Sequence, residues 1–225
     1  MDTKALTKAA STGLAAVAEP SKAGPMAAYM KTDMPFYGVQ KAGRVPVLRQ
    51  LKQQFPPLDR DDYEEAVLGL WQLDHREEKY LAIDYARGFD EFVVYDSIPL
   101  YERMIVEGAW WDLVDGTASW LVGRVLLKER SRTDPIMRSW IASLDMWLRR
   151  TSVICQLSHK ADTDTSLLGD ACTANLADSE FFIRKAIGWA LREFAKTNSD
   201  WVRAYVAQHR AEMSGLSIRE ATKHL

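Results

Sequence analysis

The chain has 225 residues, 47% hydrophobic and 27% charged, the composition of a globular protein long enough to bury a sizeable core. No segment approaches the roughly 18 uninterrupted apolar residues that a membrane span requires. A formal net charge of −2 gives no overall mark of a nucleic-acid binder, so any such role must rest on how the charges are distributed.

Taken from the start, "MDTKALTKAASTGLAAVAEP" predicts a first helix and not a signal peptide, because Ser11, Thr12 and Gly13 prevent a compact apolar h-region. The segment "PMAAYMKTDMPFYGVQ" reads as a helix end followed by an aromatic loop. Further stop signals stand at "QQFPPLDRDD", "RGFDEF", "DSIPL", "RSRTDP", "SHKADTDTS" and "KTNSD", many with a Ser, Thr or Asp able to cap the next helix. Between them lie helical patterns of about 10 to 18 residues, arranged as hairpins, and no convincing strand signal. Cys155 and Cys172 both sit in apolar helical patterns, which fits reduced core thiols in a cytoplasm better than a disulfide framework or a zinc site.

The second half repeats. Leu113, Leu148, Ile183 and Ile218 follow one another at intervals of 35 residues. Arg149, Arg184 and Arg219 keep the next phase, and Asp115, Arg150, Lys185 and Glu220 the one after. A fixed period of this length with two helices per unit is the signature of an α-solenoid. Cations dominate residues 124–150, seven against three acids, and residues 184–225, eight against four; residues 151–183 carry one lysine against five acids. That asymmetry has meaning only where the cations share a face.

On a helix, Trp110, Leu113, Val114, Ala118 and Leu121 form an apolar stripe, with Trp111 and Asp115 together at its rim and Asp112 and Ser119 toward solvent. In "FFIRKAIGWALREFAK" the stripe is Ile183, Ile187, Ala190, Leu191 and Phe194, while Trp189 lies in line with Lys185, Arg192 and Lys196. That line suits either surface cation–π packing or a basic, aromatic face for nucleic acid. In "DMWLRRTSVICQLSHK", Arg149 and Ser152 occupy a narrow polar arc, and Arg150 falls in an apolar sector where it demands an anion. Spacing favours a carboxylate one repeat away over a phosphate. GxSxG, HExxH, Walker and GxGxxG motifs are absent, and His75, His159, His209 and His224 lack ligand spacing, so neither metal nor other cofactor is expected.

The segments "PMAAYMK", "FYGVQKAGR", "WWDLVD", "SWLVGRVLLK", "WLRRTSVICQLSHK", "FFIRKAIGWALREFAKTN" and "LSIREATKHL", colinear from about residue 25 onward, resemble the AlkD-type DNA alkylation repair glycosylases. The resemblance implies an all-α fold, a right-handed α-α superhelix of HEAT-like repeats with a concave DNA-binding face. It is read as one domain over 1–225, with N-terminal helices over about 1–60 and the repeat array over about 61–225. It implies excision of cationic N3- and N7-alkylated purines from duplex DNA. Asp115 is then the catalytic carboxylate, with Trp111 and Trp189 flanking the lesion nucleotide. Arg150 contacts the DNA backbone, joined by Arg149, Lys185, Arg192 and Lys160, and Tyr29 and Gln40 approach the duplex near the lesion. The expected protein is a cytoplasmic monomer, nucleoid-associated when bound to double-stranded DNA, with no membrane partner. The alternatives are a noncatalytic HEAT-like module binding DNA or protein, and a pure protein scaffold.

Overall fold

The computed structural model describes residues 1–225 and is all helical, without strands. Two compact units make it up, Met1–Val93 and Val94–Leu225.

The first unit holds α1 (Thr3–Ala16), α2 (Pro20–Met30), α3 (Lys41–Gln54), α4 (Arg60–Trp71) and α5 (Arg76–Arg87). The alanine-rich N-terminus is a helix as expected, capped by Asp2 and burying Leu6, Ala10 and Leu14 against α3, α4 and α5. The "QQFPPLDRDD" break supplies Asp59, whose carboxylate accepts from the Asp62 N–H and caps α4. Between α2 and α3 runs the aromatic loop, fastened to α5 by two buried carboxylates. Glu77 accepts from the backbone N–H groups of Tyr37, Gly38 and Val39 at 3.1, 2.9 and 2.8 Å. Glu78 accepts from the Ser11 and Tyr37 hydroxyls and from the His75 N–H. Buried acids of this kind are tolerated because their oxygens are hydrogen-bonded.

The second unit begins with α6 (Ile98–Gly108). Next comes one continuous rod: α7 (Trp111–Gly116), a π-helical stretch (Thr117–Val122) and α8 (Gly123–Lys128). It is followed by α9 (Arg130–Ile141), α10 (Met146–Ile154), α11 (Thr165–Ala174), α12 (Phe181–Ala195), α13 (Ser199–His209) and α14 (Gly215–Ala221). Asp145, Asp164, Asn198 and Ser214 cap α10, α11, α13 and α14, and of these Asp164 and Asn198 come from the expected stop signals. One stop signal fails. "RSRTDP" lies inside α9, where Pro135 withholds a single N–H in the second turn and Arg138 pairs with Asp134 one turn back.

The centre of this unit is α10, which packs against α6, α7, the π stretch, α9, α11 and α12. Its expected polar arc is therefore not solvated. Ser152 is buried with its hydroxyl donated to the Arg149 carbonyl, and Arg149 is half-buried. The repeat phase is visible in the packing, since Leu113, Leu148 and Ile183 are buried and Ile218 is partly buried against the same core. No helix is long and apolar enough to cross a membrane.

Candidate functional site

Helix α7 starts one residue later than the apolar stripe suggests. Trp110 is its extended N-cap residue, half-buried, with its ring against Trp147 and Phe182 at centroid distances of 6.2 and 5.2 Å. It belongs to an aromatic cluster at the helix start and not to the stripe, because an extended backbone points its side chain away from the helical phase. Leu113, Val114, Ala118 and Leu121 are buried as that phase predicts. Trp111 and Asp115 are both half-buried and lie one turn apart.

Asp115 is held by Arg150, one repeat further on. The guanidinium donates from Nε to Oδ1 at 2.7 Å and from Nη2 to Oδ2 at 2.8 Å, a bidentate fork. Its remaining nitrogen, Nη1, donates to the Phe182 carbonyl. Arg150 is 3% exposed, and all three of its nitrogens are engaged. The apolar sector is satisfied by a carboxylate, as the spacing favours. Burial pushes the Asp115 carboxyl above its ordinary range, the Arg150 fork opposes this, and the neighbouring charge of Asp112 adds to the rise.

Asp115 opens onto a cleft of about 590 Å³. The π stretch contributes Ser119 and Trp120, the turn after α10 Leu157 and Ser158, the short turn beyond it Lys160, and α12 Trp189 and Glu193. Ser119, expected toward solvent, is 8% exposed, its hydroxyl donated to the Asp115 carbonyl at 2.6 Å. The cause is that the π stretch packs against both α6 and α10, so more than its apolar stripe is covered. Trp120, which the sequence analysis does not single out, is 44% exposed. Lys160 has a left-handed backbone, φ 54°, at the start of the turn Lys160–Asp162. The preceding His159 is buried, with Nε2 2.8 Å from the Gly123 carbonyl, so it ties the wall bearing Lys160 to the end of the π stretch. Burial lowers the pKa of this imidazole, and the neutral ring donates to the carbonyl.

The remaining expected cations are mostly paired. Arg149 binds Asp178 at 3.1 Å and the Ser143 carbonyl at 2.7 Å. Lys185 and Arg192, either side of Trp189 on α12, both bind Glu220 from α14. The Lys185–Glu220 pair, at 2.6 Å, stands 35 residues apart like Asp115–Arg150. The Lys185 hydrogen bond and charge, with Arg192, hold the Glu220 carboxyl below its ordinary range. Lys160 is exposed and joins no ion pair. Tyr29 and Gln40 belong to the first unit, where they line a groove of about 300 Å³ with Lys22, Met26 and Met30; Tyr29 is 71% exposed. The Cys155 and Cys172 thiols are buried and pushed up to about 12, so neither supplies a thiolate at neutral pH. His, Cys, Asp and Glu side chains form no group of three or more fit to hold a metal ion.

No curated protein matches the chain. Among solved structures it is similar to a predicted DNA alkylation repair enzyme from Enterococcus faecalis. The TM-score is 0.85 at 29% sequence identity, over 92% of this chain and 96% of that one. The family model for the DNA alkylation repair enzymes matches residues 10–225. With a match over nearly its whole length, and with the same helical architecture as a solved relative, the chain belongs to the DNA alkylation repair enzyme family.

Proposed function

We propose that the protein is an alkylpurine DNA glycosylase, hydrolysing the N-glycosidic bond of cationic N3- and N7-alkylated purines in duplex DNA. The observation that carries this reading is that Asp115 and Trp189 line one open cleft, with the carboxylate fixed by a bidentate guanidinium. Alkylation at N3 or N7 makes the purine a cation, so the base leaves neutral without a general acid. As the C1′–N bond breaks, positive charge builds on the sugar. Asp115 stabilises that charge and orients the attacking water, whose oxygen bonds to C1′ while its proton passes to the carboxylate. Trp111 and Trp189 place negative ring faces beside the cationic sugar. Arg150, engaged with Asp115 and the Phe182 carbonyl, serves here to position the carboxylate. Lys160, Arg149, Lys185 and Arg192 supply positive charge for the backbone, with Tyr29 and Gln40 as further duplex contacts.

The test is release of 7-methylguanine and 3-methyladenine from methylated duplex DNA. The native protein is expected to release both, and Asp115→Asn to lose on the order of 10²-fold or more in rate while still binding DNA. Equal release by both proteins would remove Asp115 from its role. No release by the native protein would leave a noncatalytic HEAT-like binding module as the better reading.

A further inference from the structure

Every helix of the first unit but one is set in place by its own packing. Helix α1 lies against α3, α4 and α5, and α5 lies against α3 and α4. Helix α2 has no buried residue and takes no comparable share in that packing, although it carries Tyr29 and borders the groove that Gln40 lines. Two poor helix formers, Gly24 and Pro25, stand side by side within it. A helix this short is marginal in water without tertiary support, so its position must be set from outside.

What it leans on is the loop before α3. The Glu19 N–H, at the start of α2, donates to the Tyr37 carbonyl at 3.1 Å. Gly38, with φ 83°, comes so close to α2 that an added Cβ would meet the Glu19 carbonyl and the Ala23 nitrogen. The Lys22 ammonium reaches the Gln40 amide oxygen at 3.4 Å. On its other side the loop backbone is gripped by Glu77 of α5, a fully buried residue. Oε1 accepts from the Gly38 and Val39 N–H groups, and Oε2 from that of Tyr37. Three successive N–H groups turned to one point form a concavity for an anion, and here a carboxylate of the chain fills it with charge-assisted bonds.

We infer that Glu77 is a positioning residue for duplex binding: through the loop it sets where Gln40 stands and, with α2, where Tyr29 stands. The inference rests on the reading above for the duplex contacts of Tyr29 and Gln40, and it gives Glu77 no part in the chemistry at the sugar. Helix α3 packs on α1 and α5 by itself, so loss of the grip should free the loop and α2 alone.

The experiment compares the full native chain with Glu77→Gln, in which one oxygen becomes an NH2 group set against the loop N–H groups at unchanged size. Hydrogen exchange should accelerate about 10- to 100-fold over residues 19–40 and stay at the native rate over α1 and α4. Affinity for an unmodified duplex should fall by about 3- to 30-fold, while release of 7-methylguanine from methylated duplex at saturating protein stays within about twofold. Gly38→Ala strikes the same tie from the α2 side without touching a buried charge. It should give the same pattern, and it carries the test alone where Glu77→Gln does not fold. Exchange unchanged over residues 19–40, or raised equally over the whole first unit, overturns the assignment. So does duplex affinity that is unchanged while α2 loosens, a loss of rate at saturation as large as the loss of affinity, or a native protein that binds no duplex. A native protein that releases no base, yet binds duplex through a Glu77-dependent α2, would sustain this inference while the hydrolytic reading fails.

Discussion

The Asp115–Arg150 fork is the residue-scale feature on which the site depends, and its two ends differ in what they tolerate. Asp115 keeps some exposure to the cleft, with a side chain 16% accessible, whereas the Arg150 side chain is 4% accessible. Replacing the carboxylate by an amide leaves hydrogen-bonding atoms near the guanidinium. Replacing Arg150 by methionine leaves a largely buried carboxylate and the Phe182 carbonyl without their donors. Breaking a buried pair from one side costs about 3–5 kcal/mol, because the surviving charge is uncompensated. Arg150→Met should therefore lower the unfolding free energy by about that much in urea titration. Asp115→Asn should lower it by less. A methionine variant as stable as the native protein would mean that the pair is not the structural tie described here. Arg149, adjacent in sequence, illustrates the limit of phase arguments. Its partner Asp178 lies in an interhelical loop, to which no period applies, so the sequence points this cation outward while the structure turns it to an acid.

At the scale of elements, periodicity reads the apolar stripes well and misses what a second neighbouring helix covers. The stripe on α12 and the buried set on α7 follow from 3.6 residues per turn. On the π stretch Ala118 and Leu121 keep that phase, but Ser119, expected toward solvent, is covered as well and lines the cleft. Trp110 is misplaced by a boundary shift of one residue, enough to move a side chain from helix interior to N-cap. After the π stretch, α8 begins at Gly123, where a close approach to the C-cap of α10 demands glycine: an added Cβ would run into the Cys155 carbonyl oxygen. Because backbone and not a flexible side chain is in the way, Gly123→Ala must push α8 away from α10, an overpacking that costs about 1–3 kcal/mol. The same shift disturbs the Gly123 carbonyl to which His159 is bound, and through it the turn that bears Lys160. Gly24, exposed within α2 with open space where a Cβ would stand, is the matched control; Gly24→Ala should be neutral or stabilising by up to about 1 kcal/mol. Urea titrations of the two variants test the contrast, and equal stabilities would remove the close approach as a constraint.

At the scale of the whole molecule, a net charge of −2 must be reconciled with a DNA partner. The cations that the 35-residue phase assembles are there, but acids from the same phase or from nearby loops hold most of them. Each such pair is a competition between an internal carboxylate and an external phosphate. Glu220 is the clearest case, since one carboxylate occupies both Lys185 and Arg192 beside Trp189. Duplex binding should then show a shallow salt dependence, with only a few phosphates neutralised and a loss of about 10- to 100-fold between 50 and 200 mM salt. Glu220→Gln removes the competing charge while keeping a hydrogen-bonding side chain of the same size. It should tighten duplex binding at low salt and steepen the slope of log K against log salt by about 1 to 2, one or two additional phosphates. A slope unchanged by the substitution would mean that Lys185 and Arg192 do not meet the backbone, and that Glu220 serves only to join α14 to α12.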